Sequence, residues 1–222
     1  MPPLSLTIVI PALNAADRLP ACLAAIQGAD ILLVDGGSVD DSRALAAAAG
    51  ATVLTTPKGR GSQLAAGAAA AQGEWLLFLH ADTVLSANWR KTVEIFAASP
   101  ENHWKAGYFR LAFDDDTPAL RRIAGSANWR SRVLGLPYGD QGLLIRRDFL
   151  AKLGGYRPIP LMEDVDLARR IGRHRLVALD AVATTSATRY RAGATQRVLR
   201  NLGCLALYFL GVPPTRFARL YR

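Results

Sequence analysis

Three times in its first 80 residues the chain runs through a short aliphatic or β-branched stretch, an alanine-rich stretch and then a glycine. The apolar runs are Leu6–Ile10, Ile31–Val34 and Thr52–Thr55, and a fourth, Trp75–Leu79, closes the series. Between them the pattern predicts helices near Ala16–Ile26, Asp40–Ala49 and Ser62–Ala71, with Gly28, Gly50 and Gly73 as C-terminal stops. Short strands alternating with helices of this length favour parallel pairing, because each crossover returns the chain to the same end of the sheet. The expected fold class is therefore α/β, an open, mainly parallel twisted sheet flanked by helices. At 222 residues the chain can bury one full core of this kind, so a single domain over residues 1–222 is expected.

Beyond Asp82 the punctuation loosens. The pattern predicts a helix around Ala87–Ala98, a strand around Gly107–Phe113, a helix over Pro118–Leu134 and a strand near Gly142–Arg146. A short helix Phe149–Leu153 follows, with Asp148 as its N-cap and Gly154-Gly155 as its stop, and then a helix Met162–Ile171 ended by Gly172. Residues 197–222 read as an amphipathic helical tail broken at Pro213-Pro214.

Charge is divided just as unevenly. Residues 1–120 carry 8 basic and 12 acidic side chains, residues 121–222 carry 19 and 6, and 23 of the 27 basic residues are arginine. Such a second half faces phosphate, on a ligand or on an anionic surface. In the tail, Arg197, Arg200, Arg216, Arg219 and Arg222 stand among Leu, Tyr and Phe, the composition of a helix that lies on an anionic membrane. Peripheral contact with the inner membrane face is expected there, and core packing is the alternative. The run Leu202–Val212 falls short of the ~20 residues a spanning helix needs. Met1-Pro2-Pro3 lacks a basic leader region, and Cys22 and Cys204 have no metal or redox spacing, so a cytoplasmic chain with free thiols is expected.

Ligands of an open parallel sheet bind beyond the carboxyl ends of its strands. Those ends read Pro11-Ala12-Leu13-Asn14, Asp35-Gly36-Gly37-Ser38, Lys58-Gly59-Arg60-Gly61 and His80-Ala81-Asp82-Thr83, so Asn14, Asp35, Arg60 and Asp82 should converge on one edge. Each has a structural reading as well: Asn14 as a helix N-cap, Ser38-Val39-Asp40-Asp41 as a capping box, residues 58–61 as a Gly-rich turn. No Gly-x-Gly-x-x-Gly follows the first strand and no Gly-x-x-x-x-Gly-Lys-Ser/Thr occurs, which argues against a Rossmann dinucleotide enzyme and a P-loop NTPase.

Six segments, in order, resemble the family-2 glycosyltransferases, whose fold is glycosyltransferase-A. They are Ile8-Val9-Ile10-Pro11-Ala12-Leu13-Asn14, Val34-Asp35-Gly36-Gly37-Ser38-Val39-Asp40, Gly59-Arg60-Gly61-Ser62-Gln63, Leu77-Phe78-Leu79-His80-Ala81-Asp82-Thr83, Gly139-Asp140-Gln141-Gly142 and Met162-Glu163-Asp164-Val165-Asp166. The resemblance covers roughly residues 5–190 and looks closest to a small bacterial subgroup, the selenodomain-associated transferases. It implies transfer from a UDP- or GDP-linked sugar to an acceptor hydroxyl, with lipid-linked acceptors included; apart from the resemblance, a homo-oligomer is allowed for and no nucleic acid is expected. It also implies a nucleotide-sugar-binding half, 1–120, and an acceptor-binding and catalytic half, 121–196. Pro11, Asn14 and Asp35 would line the nucleotide pocket, with Asp35 on the base and Arg60 and Gln63 nearby. His80-Ala81-Asp82 stands where the family has Asp-x-Asp, so Asp82 would be the metal carboxylate and His80 replaces an acid that faces the ribose. Asp140, Gln141 and Glu163 would contact the sugar or acceptor, and Arg189-Tyr190-Arg191 would lie near the diphosphate. Ala15 departs from the Glu that many members place after the Asn.

The chemistry of two acids stands apart from the resemblance. A departing diphosphate needs its charge neutralised, and Mg²⁺ or Mn²⁺ does this when held by one or two carboxylates with phosphate oxygens and water; Asp82 suits that role. A His80 ligand would favour Mn²⁺, whereas a His at a strand end more commonly makes only a hydrogen bond. On helical spacing Asp164 lies above Leu167, Ala168 and Ile171 and should point inward, while Glu163 and Asp166 share a face with Arg169 and Arg170. Acids in a first turn also answer the helix dipole. A carboxyl held against apolar surface is raised toward the range of a general base, so Asp164 is the candidate to deprotonate the acceptor for in-line, inverting attack. Two other functions compete. A sugar-nucleotide-forming nucleotidyltransferase would need a Gly-rich basic loop after the first strand, and a non-enzymatic binder of nucleic acid or another anionic surface would need a motif and interleaved aromatics that are absent here.

Overall fold

The first four strands form where the apolar runs stand: β1 (Leu6–Ala12), β2 (Asp30–Asp35), β3 (Thr52–Thr55) and β4 (Trp75–Phe78). Alternate residues along them face opposite sides. Ile8, Ile10, Leu33 and Leu77 enter one buried cluster, and Val9, Leu32, Val34 and Leu76 enter another on the opposite side. Residues 4–191 and 193–221 are described in this computed structural model, without the side chains at 189, 191, 194, 195, 220 and 221.

Helices α1 (Leu19–Ala25), α2 (Ser42–Ala48) and α3 (Arg60–Ala70) are the crossovers between these strands, which pair in parallel in the order β3-β2-β1-β4. The chain continues through β5 (Thr83–Leu85), α4 (Trp89–Ala98), β6 (Ala106–Phe113), α5 (Pro118–Leu134), β7 (Leu143–Arg146), α6 (Arg147–Lys152) and α7 (Glu163–Ile171). It then forms β8 (Leu176–Thr185), α8 (Thr188–Arg191), α9 (Ala194–Phe209) and α10 (Pro214–Phe217). The full order is β3-β2-β1-β4-β7-β6-β8-β5, with β7 and β5 antiparallel to their neighbours, so six of the eight strands point one way. Helices α1, α2 and α4 cover one side of the sheet and α3, α6 and α7 the other.

Four local expectations change. Strands β5 and β8 form where none was predicted, as two partners along one edge. Gly28 and Gly50 end their helices in left-handed backbone, but Gly73 is there for close approach: a Cβ would lie 2.5 Å from the Thr7 backbone nitrogen. Asp148 is inside the first turn of α6, bonding the Phe149 N–H, and Arg146 is the cap. Residues 38–41 form no capping box, because Ser38 Oγ accepts from the Asn14 N–H and the Asp40 carboxylate from Ser42 and Ala16.

Strand β1 lies between β2 and β4, so the chain leaves it first to one side and later to the other. That reversal opens a crevice at the carboxyl ends of β1 and β4, the place where sheets of this kind bind ligands. Above it, α9 and α10 close a third cluster of Leu136, Met162, Val165, Cys204 and Phe217.

Candidate active site

The crevice opens into a cavity of about 730 Å³, within the range of small-molecule sites. Its wall includes Pro11 and Asn14 from the end of β1, Arg60 and Gln63 from the start of α3, His80 and Asp82 from the end of β4, and Glu163 and Asp164 from the start of α7. Asn14, at φ 50°, and Met162, at φ 64°, are the two non-glycine residues in left-handed backbone among the described residues. Both line this cavity, where such local strain is often stored for function.

One electrostatic chain crosses the site. Arg60 Nε pairs with Glu163 Oε1 at 2.8 Å, its Nη2 lies 4.0 Å from Asp164 Oδ2 and contacts His80 Nε2, and His80 Nδ1 lies 3.9 Å from Asp82 Oδ1. A guanidinium only donates, so in this contact His80 Nε2 can serve only as the acceptor. Gly139 makes the contact achievable, because a Cβ there would fall on Arg60 Nη2 and His80 Nε2. Asp164 is fixed from the same turn: its Oδ2 accepts the Gly139 N–H at 2.9 Å and its Oδ1 the Val165 N–H at 2.8 Å.

Asp82 is the less engaged acid. Its side chain is 19% exposed, and among the described residues the basic group within 4 Å of it is His80, whose Nδ1 stands 3.9 Å away, beyond hydrogen-bond distance. Behind it the buried Cys22 thiol meets the His80 carbonyl oxygen at 3.5 Å and is pushed up to about 12 by burial and by the Asp82 charge, which leaves it chemically inert. Among the described residues no three His, Cys, Asp or Glu side chains converge as a metal cage. An ion at Asp82 would therefore draw most of its oxygens from a ligand and water, a donor set that suits Mg²⁺ or Mn²⁺ at a diphosphate.

Other predicted residues lie beneath the wall. Asp35 is fully buried and accepts the Gly37 and Ser38 N–H groups, so it shapes the loop above it and does not line the cavity. Gln63 reaches the wall but spends its amide on the Ala12 and Val34 carbonyl oxygens. Gln141, also fully buried, bonds the Ser131 hydroxyl and the Phe109 carbonyl and stands outside the cavity as well. Asp140 does not line it either; its Oδ1 is shut from solvent with no hydrogen-bond partner, and burial raises its carboxyl against the pull of Arg130.

The helical-wheel expectation for α7 is corrected on one side. Asp164 faces the cavity, but Glu163 and Asp166 are the buried acids, at 3% and 4% exposure. The wheel gave Arg170 as a neighbour of Asp166, and that ion pair forms, but the rest of their cover comes from distant sequence: Arg60 holds Glu163, while Arg157 and Tyr208 also hold Asp166. Burial raises the Glu163 carboxyl, and Arg60 opposes that shift.

Among other wall residues, the sequence reading named neither Arg18 nor Asn201 as a site residue, and it gave Lys58 only as part of the turn 58–61. Arg18 bonds Ser186 and Thr188 beyond the end of β8, and only that missed strand would have signalled its place. The side chains of Arg189 and Arg191 lie outside the described residues.

A sequence model described as "Glycosyl transferase family 2" matches residues 7–148. The chain belongs to that family. An uncharacterized glycosyltransferase of Mycobacterium tuberculosis is 41% identical over 85 residues, 37% of this chain and 39% of that relative, so the match spans well under half of the relative. Among solved structures, the mannosyltransferase PcManGT of Pyrobaculum calidifontis, in complex with GDP-Man and Mn²⁺, aligns with a TM-score of 0.68 at 16% identity, over 98% of this chain and 68% of that one. S. aureus TarS residues 1–349 align at 0.66 and 13% identity, over 91% and 65%. Glucosyl-3-phosphoglycerate synthase of M. tuberculosis, in complex with Mn²⁺, UDP and glucosyl-3-phosphoglycerate, aligns at 0.59 and 19%, over 94% and 81%. At these identities the likeness establishes the glycosyltransferase-A type of fold for this family member.

Proposed function

We propose that the chain transfers a sugar from a UDP- or GDP-linked donor to an acceptor hydroxyl, with inversion at the anomeric carbon and with Mg²⁺ or Mn²⁺ bound at Asp82. The observation behind this reading is that Asp82 and Asp164 share one cavity, joined through His80 and Arg60, at the switch point of the sheet. The ion, when bound, neutralises charge developing on the departing diphosphate. Arg18, Lys58 and Arg60 add positive charge around the donor. Asp164, held by the Gly139 amide, takes the proton of the acceptor hydroxyl as its oxygen attacks in line. Asp35 and Gln141 act indirectly, through the loops they hold. The six matching segments support placing the chain near the selenodomain-associated transferases within its family.

The test is to incubate the full chain with UDP- and GDP-linked hexoses and Mn²⁺ and to measure nucleoside diphosphate release. Metal-dependent release from one of the two donor classes is expected; no release above the metal-only control from any donor would remove the reading.

A further inference from the structure

Among the described residues, the cavity takes Asn201 from α9. Asn201 turns to the cavity wall and Cys204 into the cluster beneath. On the opposite face Leu199, Leu202, Ala206 and Phe209, with Leu210 at the C-cap, line up at helical spacing and stand in solvent. Leu199 is 63% exposed, Leu202 54%, Phe209 50% and Leu210 79%. These are four of the nine large exposed hydrophobics among the described residues, gathered in one stretch of helix, so they make a patch and not the ordinary scatter of a surface.

The chain around the patch is basic in sequence, and the acid that reaches α9, Asp166 at Tyr208, is buried and paired with Arg157 and Arg170. Residues 181–222 hold seven arginines and neither Asp nor Glu. The Arg169 guanidinium lies 4.9 Å from the Phe209 ring, and Arg216 and Arg219 are exposed on the turns that follow α9. An apolar stripe bordered by arginine matches the interface of an anionic bilayer, where the stripe enters the acyl boundary and the cations meet phosphate. A second copy matches poorly, because a twofold contact through this face would set arginines against arginines with no acid nearby in sequence to neutralise them. Among the described residues no helix is long and apolar enough to cross a membrane, so the contact suited to this face is with one leaflet.

We propose that the outward face of α9, with Arg169, Arg216 and Arg219, docks the protein on an anionic lipid surface. Because the inner face of the same helix supplies Asn201 to the cavity wall, docking sets that wall about one helix diameter, ~10–12 Å, from the lipid headgroups. An acceptor hydroxyl carried on a lipid fits that placement. This last step rests on the transferase reading, whereas the docking does not.

The test is co-sedimentation of the full chain with vesicles of phosphatidylcholine alone and of phosphatidylcholine mixed with phosphatidylglycerol, at low and high salt. Two variants are run beside it, Leu202→Gln with Leu210→Gln, and Arg216→Glu with Arg219→Glu. The chain is expected to bind the phosphatidylglycerol vesicles at low salt at least tenfold better than neutral ones, and each variant to lose at least tenfold. The variants' melting temperatures and their stabilisation by nucleotide sugar should stay at the parent values, which separates failure to dock from failure to bind donor. Absence of binding at either salt, or undiminished binding by the leucine variant, would overturn the proposal. A dimer in sedimentation equilibrium that the leucine changes dissociate would also overturn it, by giving the face to a second copy.

Discussion

Two layers of polar side chains meet at the carboxyl edge of the sheet, and they differ in how much the protein itself already uses them. In the wall, Asp82 and Asp164 each keep about a fifth of their side-chain surface exposed. Beneath and beside it, Asp35, Gln63, Gln141 and Asp166 are buried, with their hydrogen bonds directed to backbone amides, carbonyls and arginines. A buried polar group left without its partner costs more than an exposed one, so the lower layer serves rigidity, while in the upper layer Asp82 and the remaining lone pairs of Asp164 can meet a ligand. The contrast predicts that changes in the wall cost activity and changes below it cost stability.

The largest expected effect is in the wall. Asp164→Asn should lower kcat by about a hundred- to ten-thousandfold, the range for losing a general base, while donor affinity holds and stability falls by no more than the one backbone hydrogen bond that the amide NH2 cannot accept, about 1 kcal/mol; steady-state kinetics beside thermal melts would show it. A full loss of stability in that variant would move Asp164 into the lower layer. Next comes Asp166→Ala, which leaves the Arg170 charge with two backbone carbonyls and no carboxylate and removes a partner of Arg157 and Tyr208. Denaturant unfolding should show a loss of about 3–5 kcal/mol, as for breaking a buried ion pair from one side. If that variant kept its stability and lost only turnover, the two layers would not be distinct.

Asp140 gives the smallest effect and the sharpest sign. Burial raises its carboxyl above the ordinary 3.8, so the folded chain holds a proton that the unfolded chain releases. This contribution makes stability fall as pH rises above 3.8 and through the raised value. Asp140→Asn, which cannot ionise, should flatten that slope and leave stability at acid pH nearly unchanged; unfolding curves across pH would check it.

The same division marks what the sequence made legible. Strands β1 to β4 and helices α1 to α3 appear where the periodicity put them, because each unit is punctuated by its own neighbours. Strand β8 was hidden because its place depends on β6 and β5, which pair with it from distant sequence, and β5 has only three residues to show a pattern. Within the site, strand-end position put Asn14, Arg60 and Asp82 together in the cavity. It could not tell Asp35 from them, since the direction of that carboxylate is set by two amides of the following turn. The burial of Glu163 and Asp166 was out of reach although the Arg170 pair was not, because the other groups that cover them come from α3, the loop before α7 and α9.

The claim at the centre is that Asp82 holds a divalent cation against a diphosphate. Melting temperature measured with UDP and GDP, each with and without Mn²⁺, in the parent chain and in Asp82→Asn, addresses it directly. Stabilisation by one nucleotide that requires Mn²⁺ and disappears in Asp82→Asn is predicted; the same metal-dependent shift surviving in Asp82→Asn would contradict it.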